Sequence, residues 1–330
     1  MSTENACNCS YFRINANFAT IMIALQLIGG FLLLFFGGDW LVDGGVAVAR
    51  RFNISPLVIG LTIVAFGTSA PELLVSMESA MKGIEGIAMG NVIGSNIANI
   101  GLILGLTAMI CPIVVEGMKS VLSNCLVMIG ASVLAIVFSI DGCISRPEGA
   151  VMFLGLVAYT VISIMKGRGS NVPESDEKAP MSTLPALLLI VLSCAMLAYG
   201  ADLMVEGATA LARMIGVSDQ VIGLTIVAFG TSLPELAASV AAAVKKQMDI
   251  SIGNIVGSNL FNILCVLGLS ATVSPISFTQ GNYATDFAVM MLFAVGLTIL
   301  IQPWKQTGRL SRVSGALMFA AYAAYAYMLF

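Results

Sequence analysis

The chain contains no histidine, and only 10% of its 330 residues are charged. Without imidazole it lacks the usual proton relay near neutral pH and the usual nitrogen ligand of zinc. A soluble domain carries about a quarter charged residues, whereas 58% of this chain is hydrophobic and its mean hydropathy is +0.97. These shortages exclude a soluble enzyme, a nucleic-acid-binding protein and a disordered chain, and they predict a polytopic membrane protein.

The chain also lacks a strong charge of either sign and a clear pattern of cysteine pairing. The 15 basic and 18 acidic residues leave a net charge of −3, so nothing indicates a surface for polyanions. Most of the seven cysteines lie within apolar runs, and the isolated Cys7-Asn8-Cys9 could pair or bind a metal but predicts neither. The polar first 17 residues contain no basic region leading into a short apolar core, so we expect no cleaved signal peptide.

Long apolar runs predict an all-α fold with ten membrane-spanning helices, because a helix needs about 20 apolar residues to cross the hydrocarbon core. Six uncharged runs of suitable length, and two longer runs that each contain a span plus a loop, account for eight of them. The other two spans begin near Leu57 and Gln220 and are interrupted only by glutamates. The eight uncharged runs are 18–36, 87–115, 120–140, 149–165, 179–201, 250–285, 287–304 and 313–330.

A polar stretch at 167–183 separates the ten predicted spans into two groups of five. It predicts a first five-helix repeat at 1–166, a linker, and a second five-helix repeat at 184–330. Eleven of the 15 lysines and arginines fall in loops on the side of this linker. Because basic residues accumulate on the cytoplasmic side, we expect a cytoplasmic linker and both termini outside. The short loops favour the plasma membrane of a prokaryote, its inner membrane.

The two halves contain an internal repeat. The sequence VIGLTIVAFGTS occurs at 58–69 and again at 221–232, and the same offset of 163 residues relates Asp39 to Asp202. Five is an odd number of spans, so the second copy enters the membrane from the opposite side, and the halves form an inverted repeat with a substrate site near the midplane. The alternative is a duplication that serves packing only. The repeated segments extend over about 57–112 and 220–275.

Each copy places a Gly-Thr-Ser-x-Pro-Glu motif in the middle of an apolar segment. The proline cannot donate a backbone hydrogen bond, so it frees the carbonyl group four residues earlier, and at membrane depth that carbonyl must line a cavity or find another partner. Hydroxyl and carboxylate oxygens stand at the same break, and oxygen ligands of this kind suit Na⁺ and Ca²⁺. The residues concerned are Thr68, Ser69, Pro71 and Glu72 in the first copy and Thr231, Ser232, Pro234 and Glu235 in the second.

The two motif glutamates are unfavourable at membrane depth unless something neutralises them. An acidic residue at the bilayer centre costs about 3 kcal/mol on the insertion scale, and one divalent cation or several sodium ions would offset that cost at Glu72 and Glu235. The alternative is that each glutamate is protonated or paired with a basic residue, but no lysine or arginine lies near either one within its segment. Glu78 differs, because Lys82 follows it by four residues and predicts a surface ion pair.

The next span of each repeat carries a Gly-Asn-x-x-Gly-Ser-Asn-x-x-Asn motif. Its polar side chains at i, i+4 and i+8 share one face of a helix, which predicts a polar stripe. One interpretation is that these amides only fasten helices together. We expect Asn96 and Asn259 to pack in this way, and we expect other members of the motif to face the glutamates. Those members are Ser95, Asn99, Ser258 and Asn262.

The chain resembles the Na⁺/Ca²⁺ exchanger family of the calcium/cation antiporter superfamily. The resemblance rests on GTSAPE at 67–72 with GNVIGSNIAN at 90–99, and on GTSLPE at 230–235 with GNIVGSNLFN at 253–262. These segments look like the two α-repeats of that family, and the likeness covers the whole ten-span plan. It implies a site that binds either one Ca²⁺ or several Na⁺, with no cofactor.

The resemblance also implies a set of ion ligands. Glu72 and Glu235 would supply the central carboxylates, and Thr68 and Thr231 would supply backbone carbonyls. The sodium sites would be completed by Ser69, Ser95, Ser232, Ser258, Asn99 and the carbonyls of Ala65 and Ala228. Asn262 departs from the pattern, because some relatives carry aspartate there. With two carboxylates instead of three, stoichiometry and coupling to potassium or protons stay open.

The sequence therefore predicts an antiporter that exports Ca²⁺ in exchange for Na⁺ by alternating access. In such a mechanism the first helix of each repeat and its partner would rock against a rigid core that contains the broken helices. The alternative within transporters is Ca²⁺/H⁺ or another cation/H⁺ exchange, because glutamates at the midplane also carry protons. An intramembrane hydrolase is disfavoured because no basic side chain accompanies Ser69 or Ser232, and a channel because five-plus-five inversion is typical of alternating access. Expected partners are membrane lipid, Ca²⁺ and Na⁺, with no nucleic acid and no obligate protein partner.

Overall fold

The computed structural model describes residues 3–115, 117–168, 181–217, 228–278, 283–302 and 307–329. In the first half the helices are α1 (Thr3–Phe52), α2 (Pro56–Ile59), α3 (Ala65–Thr68), α4 (Ala70–Met81), α5 (Glu85–Ala98), α6 (Gly105–Ile110), α7 (Met118–Phe138) and α8 (Arg146–Gly167). In the second half they are α9 (Thr183–Met214), α10 (Ala228–Gly230), α11 (Leu233–Val244), α12 (Met248–Phe261), α13 (Gly268–Val273), α14 (Ala284–Leu300) and α15 (Arg312–Met328). The prediction of a mainly helical membrane protein is confirmed.

Several of these helices are long and apolar enough to cross a membrane. Six described segments meet that criterion by length and composition, and a seventh does so if the bent pair Pro56–Thr68 and Ala70–Met81 is one span. The six are Thr20–Phe52, Gly86–Ile110, Met118–Phe138, Arg146–Gly167, Thr183–Met214 and Met248–Val273. Ten spans stay a prediction, since the apolar part of the second repeat at 218–227 and most of the linker, 169–180, lie outside the described residues.

The first helix of each repeat is longer than its uncharged run. The run 18–36 ends shortly before Asp39, and the run 179–201 ends directly before Asp202. The helices nevertheless continue, α1 to Phe52 and α9 to Met214. The continuation in α1 carries Asp39 and Asp43, which find a basic partner in Lys245. A rule that ends a span at the first charge therefore places the end of the helix too early.

The predicted break at each proline motif takes the form of a bend. In the first repeat, Pro56–Thr68 and Ala70–Met81 meet at an angle of 49° with a single residue, Ser69, between them. In the second repeat, Thr231 and Ser232 form the turn between α10 and α11. Pro71 and Pro234 lie in the first turn of α4 and α11, where a missing N–H costs nothing because no intrahelical acceptor exists there.

Within the described ranges, three π-helical segments interrupt the α-helices, and the sequence did not predict them. They are π1 (Gly60–Val64) after α2, π2 (Asn99–Leu104) after α5 and π3 (Asn262–Leu267) after α12. π2 and π3 occupy equivalent positions of the two repeats. The π-turn is rare and occurs frequently at functional sites, so its recurrence at both asparagines marks these positions.

In the part of the chain that the structure describes, four short strands link the halves, although the sequence predicted an all-α fold. β1 (Ile113–Val115) pairs antiparallel with β4 (Gly308–Leu310), and β2 (Cys143–Ile144) pairs antiparallel with β3 (Ile276–Ser277). The repeat offset relates β1 to β3 and places β4 within a residue of the position equivalent to β2. Each pairing therefore joins one repeat to the other, and the two pairings are equivalent.

Two similar helix contacts join the halves, and each half provides the opposite partner in the two contacts. A Cβ on Gly149 of α8 would lie 2.5 Å from the carbonyl oxygen of Gly268 in α13, so only glycine permits that approach. A Cβ on Gly315 of α15 would lie 2.6 Å from the carbonyl oxygen of Gly105 in α6. Small residues allow close helix approach in membranes. Residues 250–268, within the segment Met248–Val273, are all buried and lie at the centre of this arrangement.

Candidate ion-binding site

Glu72 and Glu235 occupy equivalent positions, each as the third residue of a half-helix. Glu72 lies in the first turn of α4 and Glu235 in the first turn of α11. The first turn has backbone N–H groups without intrahelical partners and the positive end of the helix dipole, so it stabilises a carboxylate. Both glutamates are buried, with 1% and 0% of their surface exposed.

The carboxylate of Glu235 is bound by hydroxyls from both repeats. Ser69 Oγ donates a hydrogen bond of 2.9 Å to Glu235 Oε1, and Ser258 Oγ donates to the same oxygen at 3.4 Å. Glu235 Oε2 has no hydrogen-bond partner. Because Ser69 belongs to the first repeat and Glu235 to the second, the two Gly-Thr-Ser-x-Pro-Glu motifs meet in one place.

The carboxylate of Glu72 lacks the equivalent hydrogen bonds. Neither of its oxygens has a partner, and the hydroxyls of Thr231 and Ser232 are also without one. The hydrogen bond from Ser69 to Glu235 therefore has no counterpart from Ser232 to Glu72.

Asn99 and Asn262 are the first residues of π2 and π3. Asn99 Nδ2 donates to Asn259 Oδ1 at 3.1 Å, which leaves Asn99 Oδ1 without a partner. Neither amide atom of Asn262 has a partner, although the residue is fully buried. π2 packs against α11 and π3 against α4, so each asparagine turn contacts the glutamate helix of the other repeat.

The two expected packing amides contact methionine sulfur. Asn96 Nδ2 lies 3.6 Å from Met290 Sδ, and Asn259 Nδ2 lies 3.5 Å from Met128 Sδ. Thioether sulfur is a weak acceptor. Asn259 therefore both packs outward and positions Asn99, whereas Asn96 Oδ1 has no partner.

Thr68 links the first motif to the second polar stripe. Its hydroxyl lies 3.2 Å from Asn254 Oδ1 and 3.4 Å from Ser258 Oγ, both in α12. The same hydroxyl lies 3.3 Å from the carbonyl oxygen of Ala65. That carbonyl also accepts a hydrogen bond of 3.0 Å from the backbone N–H of Ser69, so two donors already approach the Ala65 oxygen.

The remaining predicted residues lie on the same helices. Ser95 is buried in α5, one turn before Asn99. Ala228 is the first described residue of α10, one turn before Thr231 and Ser232. Thr231 and Ser232 form the turn from which α11 begins. The predicted residues other than the glutamates therefore lie on α3, α5, α10, α12, π2 and π3 and in the turns that precede α4 and α11.

Unsatisfied oxygens are concentrated at these residues. Eleven buried side-chain atoms of the described residues have no hydrogen-bond partner, and eight of them belong to predicted site residues. Buried polar atoms are normally paired, so a cluster of unpaired oxygens indicates a missing ligand. Seven of the eight are oxygens, and hard cations with oxygen ligands fit them. Among the described residues, no cluster of three or more histidine, cysteine or acidic side chains suits a transition metal.

Two asparagines position the glutamate helices from behind. Asn91 Nδ2 donates to the backbone oxygen of Glu72 at 3.2 Å and to Ser76 Oγ at 2.9 Å. In the second repeat, Asn254 Nδ2 makes the same two contacts, at 3.3 Å to the backbone oxygen of Glu235 and at 2.9 Å to Ser239 Oγ. The spacing of the motif predicts both asparagines in the polar stripe, whereas neither serine was predicted. The repeat offset relates Ser76 to Ser239 and was the signal that could have identified them.

Known proteins share this arrangement over almost the whole chain. The family model described as sodium/calcium exchanger protein matches residues 22–165 and 185–330. The putative antiporter CaxA of Alkalimonas amylolytica is 38% identical, over 94% of this chain and 99% of that protein. The sodium/calcium exchanger MaX1 of Methanosarcina acetivorans is 31% identical, over 93% of this chain and 98% of that protein.

A solved membrane-protein structure is similar in fold. The sodium-calcium exchanger NCX_Mj, soaked with 10 mM Na⁺ and zero Ca²⁺, matches with a TM-score of 0.82 and 35% sequence identity. The match covers 94% of this chain and all of that chain. The likeness therefore extends over both repeats.

Proposed function

The chain belongs to the sodium/calcium exchanger protein family, and from that premise we propose that it exports Ca²⁺ in exchange for Na⁺. Family membership and the long apolar helices make it an integral membrane antiporter. The identity of the two ions is the finer part of the proposal, and it rests on the chemistry of the buried oxygens.

The observation that carries the proposal is the pair of buried glutamates with unpaired oxygens. Glu72 Oε1, Glu72 Oε2 and Glu235 Oε2 have no hydrogen-bond partner although both side chains are fully buried. Two carboxylates carry a charge of −2, which one Ca²⁺ cancels. A buried and uncompensated carboxylate pair is strongly unfavourable, so cation binding here stabilises the folded protein.

Sodium binding would use the same carboxylates and the neutral oxygens around them. Asn99 Oδ1, Asn262 Oδ1 and the hydroxyls of Thr231 and Ser232 are unpaired and buried. Each Na⁺ carries half the charge of Ca²⁺, so more than one is needed to neutralise both glutamates. Because both ions require Glu72 and Glu235, their binding is mutually exclusive, and this competition couples the two fluxes.

Alternating access would arise from two inverted repeats of five spans, ten in all. The equivalent pairings of β1 with β4 and β2 with β3, and the equivalent glycine contacts of Gly149 and Gly315, support this arrangement. We place the linker in the cytoplasm of a prokaryotic cell because 11 of 15 basic residues lie on its side. The first helix of each repeat, α1 or α9, would move against the core formed by α4, α5, α11 and α12.

Proton exchange is the second candidate function. The observation that favours it is the lack of hydrogen-bond partners at the buried carboxyl group of Glu72. A buried carboxyl group without hydrogen-bond partners can bind a proton instead of a metal cation. Glu235 is less suited, because Ser69 and Ser258 already donate to it.

Calcium uptake into proteoliposomes separates the two candidates. The purified protein is reconstituted, and ⁴⁵Ca²⁺ uptake is followed under an outward Na⁺ gradient and, in a parallel sample, under a pH gradient. We expect uptake with the Na⁺ gradient and only the background of protein-free vesicles with the pH gradient alone. Uptake driven by the pH gradient in the absence of Na⁺ would contradict Na⁺/Ca²⁺ exchange and favour the proton mechanism.

A further inference from the structure

The ends of the two glutamate helices carry lysines at equivalent positions. Lys245 follows α11 directly and Lys82 follows α4, and the 163-residue offset relates one to the other. The first helix of each repeat carries two acidic residues four positions apart, and the same offset relates them too. These acidic pairs are Asp39 and Asp43 in α1, and Asp202 and Glu206 in α9.

One of the two possible charge clusters is formed. Lys245 Nζ lies 2.7 Å from Asp39 Oδ1 and 2.7 Å from Asp43 Oδ1, and it donates a further bond of 2.8 Å to the carbonyl oxygen of Asp39. The lysine side chain is only 26% exposed, so water screens the cluster less than it screens a fully exposed ion pair. The cluster joins α1 to the end of α11.

The equivalent cluster in the other half is not formed. Lys82 Nζ binds Glu78 of its own helix at 2.5 Å, with both side chains more than 60% exposed, at 61% and 63%. Among the described residues, no ion pair joins Lys82 to Asp202 or Glu206. Glu206 accepts a hydrogen bond of 3.0 Å from Gln26 of α1 instead.

The second repeat has no counterpart of Glu78. The position equivalent to it is Ala241, so Lys245 has no carboxylate four residues before it on α11. Lys82 thus has a carboxylate on its own helix to bind, whereas the carboxylates that Lys245 binds belong to α1.

Helix packing is asymmetric in the same sense as the charges. Gly38 of α1 contacts the backbone of α11, where a Cβ on Gly38 would lie 2.8 Å from the carbonyl oxygen of Ala237. Leu74 of α4 occupies the position equivalent to Ala237 and is 69% exposed. In this structure α1 covers α11, and α9 leaves the equivalent part of α4 uncovered.

We propose that Lys245 and Lys82 are gating residues of the exchanger, and that each lysine binds its acidic pair in one of the two access states. The proposal rests on the exchange mechanism proposed above. In the state described here, Lys245 binds Asp39 and Asp43. In the opposite state that cluster separates, and Lys82 leaves Glu78 to bind Asp202 and Glu206.

The two lysines lie at the ends of the glutamate helices, and their ion-pair partners are not residues of the ion site. They would therefore act on the positions of helices and not on the ions. Lys245 acts through α1, so it is a positioning residue. An interaction made in one state only shifts the population toward that state. If each state makes one such cluster, the two states stay close in free energy, and neither becomes a trap that stops transport.

Cross-linking in a cysteine-free background tests the exchange of partners. One variant carries Asp43→Cys with Lys245→Cys, and a second carries Glu206→Cys with Lys82→Cys. Both are treated in proteoliposomes with a short, reducible bismethanethiosulfonate, and the unreacted thiols are counted by the mass that maleimide-polyethylene glycol adds. Asp43→Cys with Lys82→Cys is the control pair, because Asp43 pairs with the lysine at the end of α11 whereas Lys82 lies at the end of α4.

We expect both equivalent pairs to cross-link and the control pair not to. Each cross-link should stop ion exchange, and dithiothreitol should restore it. Absence of the Glu206 and Lys82 cross-link in a protein that still exchanges ions would overturn the proposal, because the opposite state would then lack its cluster.

A single substitution provides the second measurement. Lys245→Gln should raise the yield of the Glu206 and Lys82 cross-link about two- to five-fold, the shift that the loss of one partly exposed ion pair produces. Lys246→Gln removes the same charge from the exposed neighbouring residue and should leave the yield unchanged. Equal yields in both variants would contradict a role for Lys245.

The failure of this proposal can be distinguished from the failure of the proposed function. Cross-linking reports the positions of helices and does not depend on which cation is carried. Both cross-links without Na⁺-driven Ca²⁺ flux would contradict the ion assignment alone. Flux that persists without the second cross-link would contradict the gating proposal alone.

Discussion

At the level of single residues, the proposed exchange depends on the two buried carboxylates. Glu72→Gln and Glu235→Gln each remove one negative charge with little change in volume. We expect either substitution to reduce Na⁺-driven Ca²⁺ uptake to the background of protein-free vesicles, because one remaining carboxylate cannot neutralise Ca²⁺. The amount of folded protein is checked by size-exclusion chromatography. Near-wild-type uptake by either variant would show that the site lies elsewhere.

Glu78→Gln is the matched control for those substitutions. Glu78 lies on the same helix as Glu72 but is exposed and pairs with Lys82. It is not an ion ligand in this account, so its loss should leave the affinity for Ca²⁺ unchanged. A similar loss of Ca²⁺ affinity in Glu78→Gln and Glu72→Gln would mean that the effect of the latter is not specific to the site.

Asn262 provides a further test of the predicted site. Its amide is fully buried without a partner, and π3 packs against the helix of Glu72. Asn262→Asp would add a third carboxyl group beside two others, where like charges favour retention of a proton. Ca²⁺ and that proton would then compete, so the affinity for Ca²⁺ should rise with pH more steeply than in the wild type. The measurement is Ca²⁺ uptake against pH for both proteins, and identical profiles would place Asn262 outside the site.

At the scale of helices, the asparagine contacts behind the glutamates determine how firmly each half-helix is held. Asn254 is fully buried and bonds to the backbone of Glu235 and to Ser239, whereas Asn91 makes the equivalent contacts but is only half-buried. A buried polar group left without its partner costs about 1–3 kcal/mol. We therefore expect Asn254→Ala to lower the Tm in detergent more than Asn91→Ala does. Equal shifts would contradict the importance of burial at this contact.

The helical elements show how far the sequence alone could predict the fold. Apolar runs located α7, α8 and α15 to within a few residues, because these helices are uncharged along most of their length. The same rule failed at α1 and α9, since Asp39 lies inside a helix and is paired with a residue about 200 positions away. Charge pairing over that separation cannot be read from local composition.

The sequence predicted the residues of the candidate site more completely than it predicted the helices around them. The internal repeat identified both glutamates, because the same polar motif occurs twice in apolar surroundings. The π-turns that begin at Asn99 and Asn262 could not be predicted, since they depend on helix packing rather than on residue type. The lack of a hydrogen bond between Ser232 and Glu72 was likewise invisible, because the two sequence copies are identical at the serine and the glutamate.

At the scale of the whole molecule, the orientation in the membrane remains a prediction that one experiment tests. Eleven of 15 basic residues lie on the linker side, which predicts a cytoplasmic linker. Ser175, which lies outside the described residues, is replaced by cysteine in a cysteine-free background. An impermeant thiol reagent should label it in inside-out vesicles and leave it unlabelled in intact cells. Labelling in intact cells would reverse the orientation.

Equilibrium binding tests whether one buried site binds Ca²⁺ and Na⁺ in turn through Glu72 and Glu235. The purified protein is titrated with ⁴⁵Ca²⁺ at increasing Na⁺, with choline chloride keeping the ionic strength constant. We predict one Ca²⁺ per chain, displaced by Na⁺ with a Hill coefficient above one, and no Ca²⁺ binding in the variant with both Glu72→Gln and Glu235→Gln. Ca²⁺ binding that Na⁺ does not displace, or that survives in the double variant, would contradict the account.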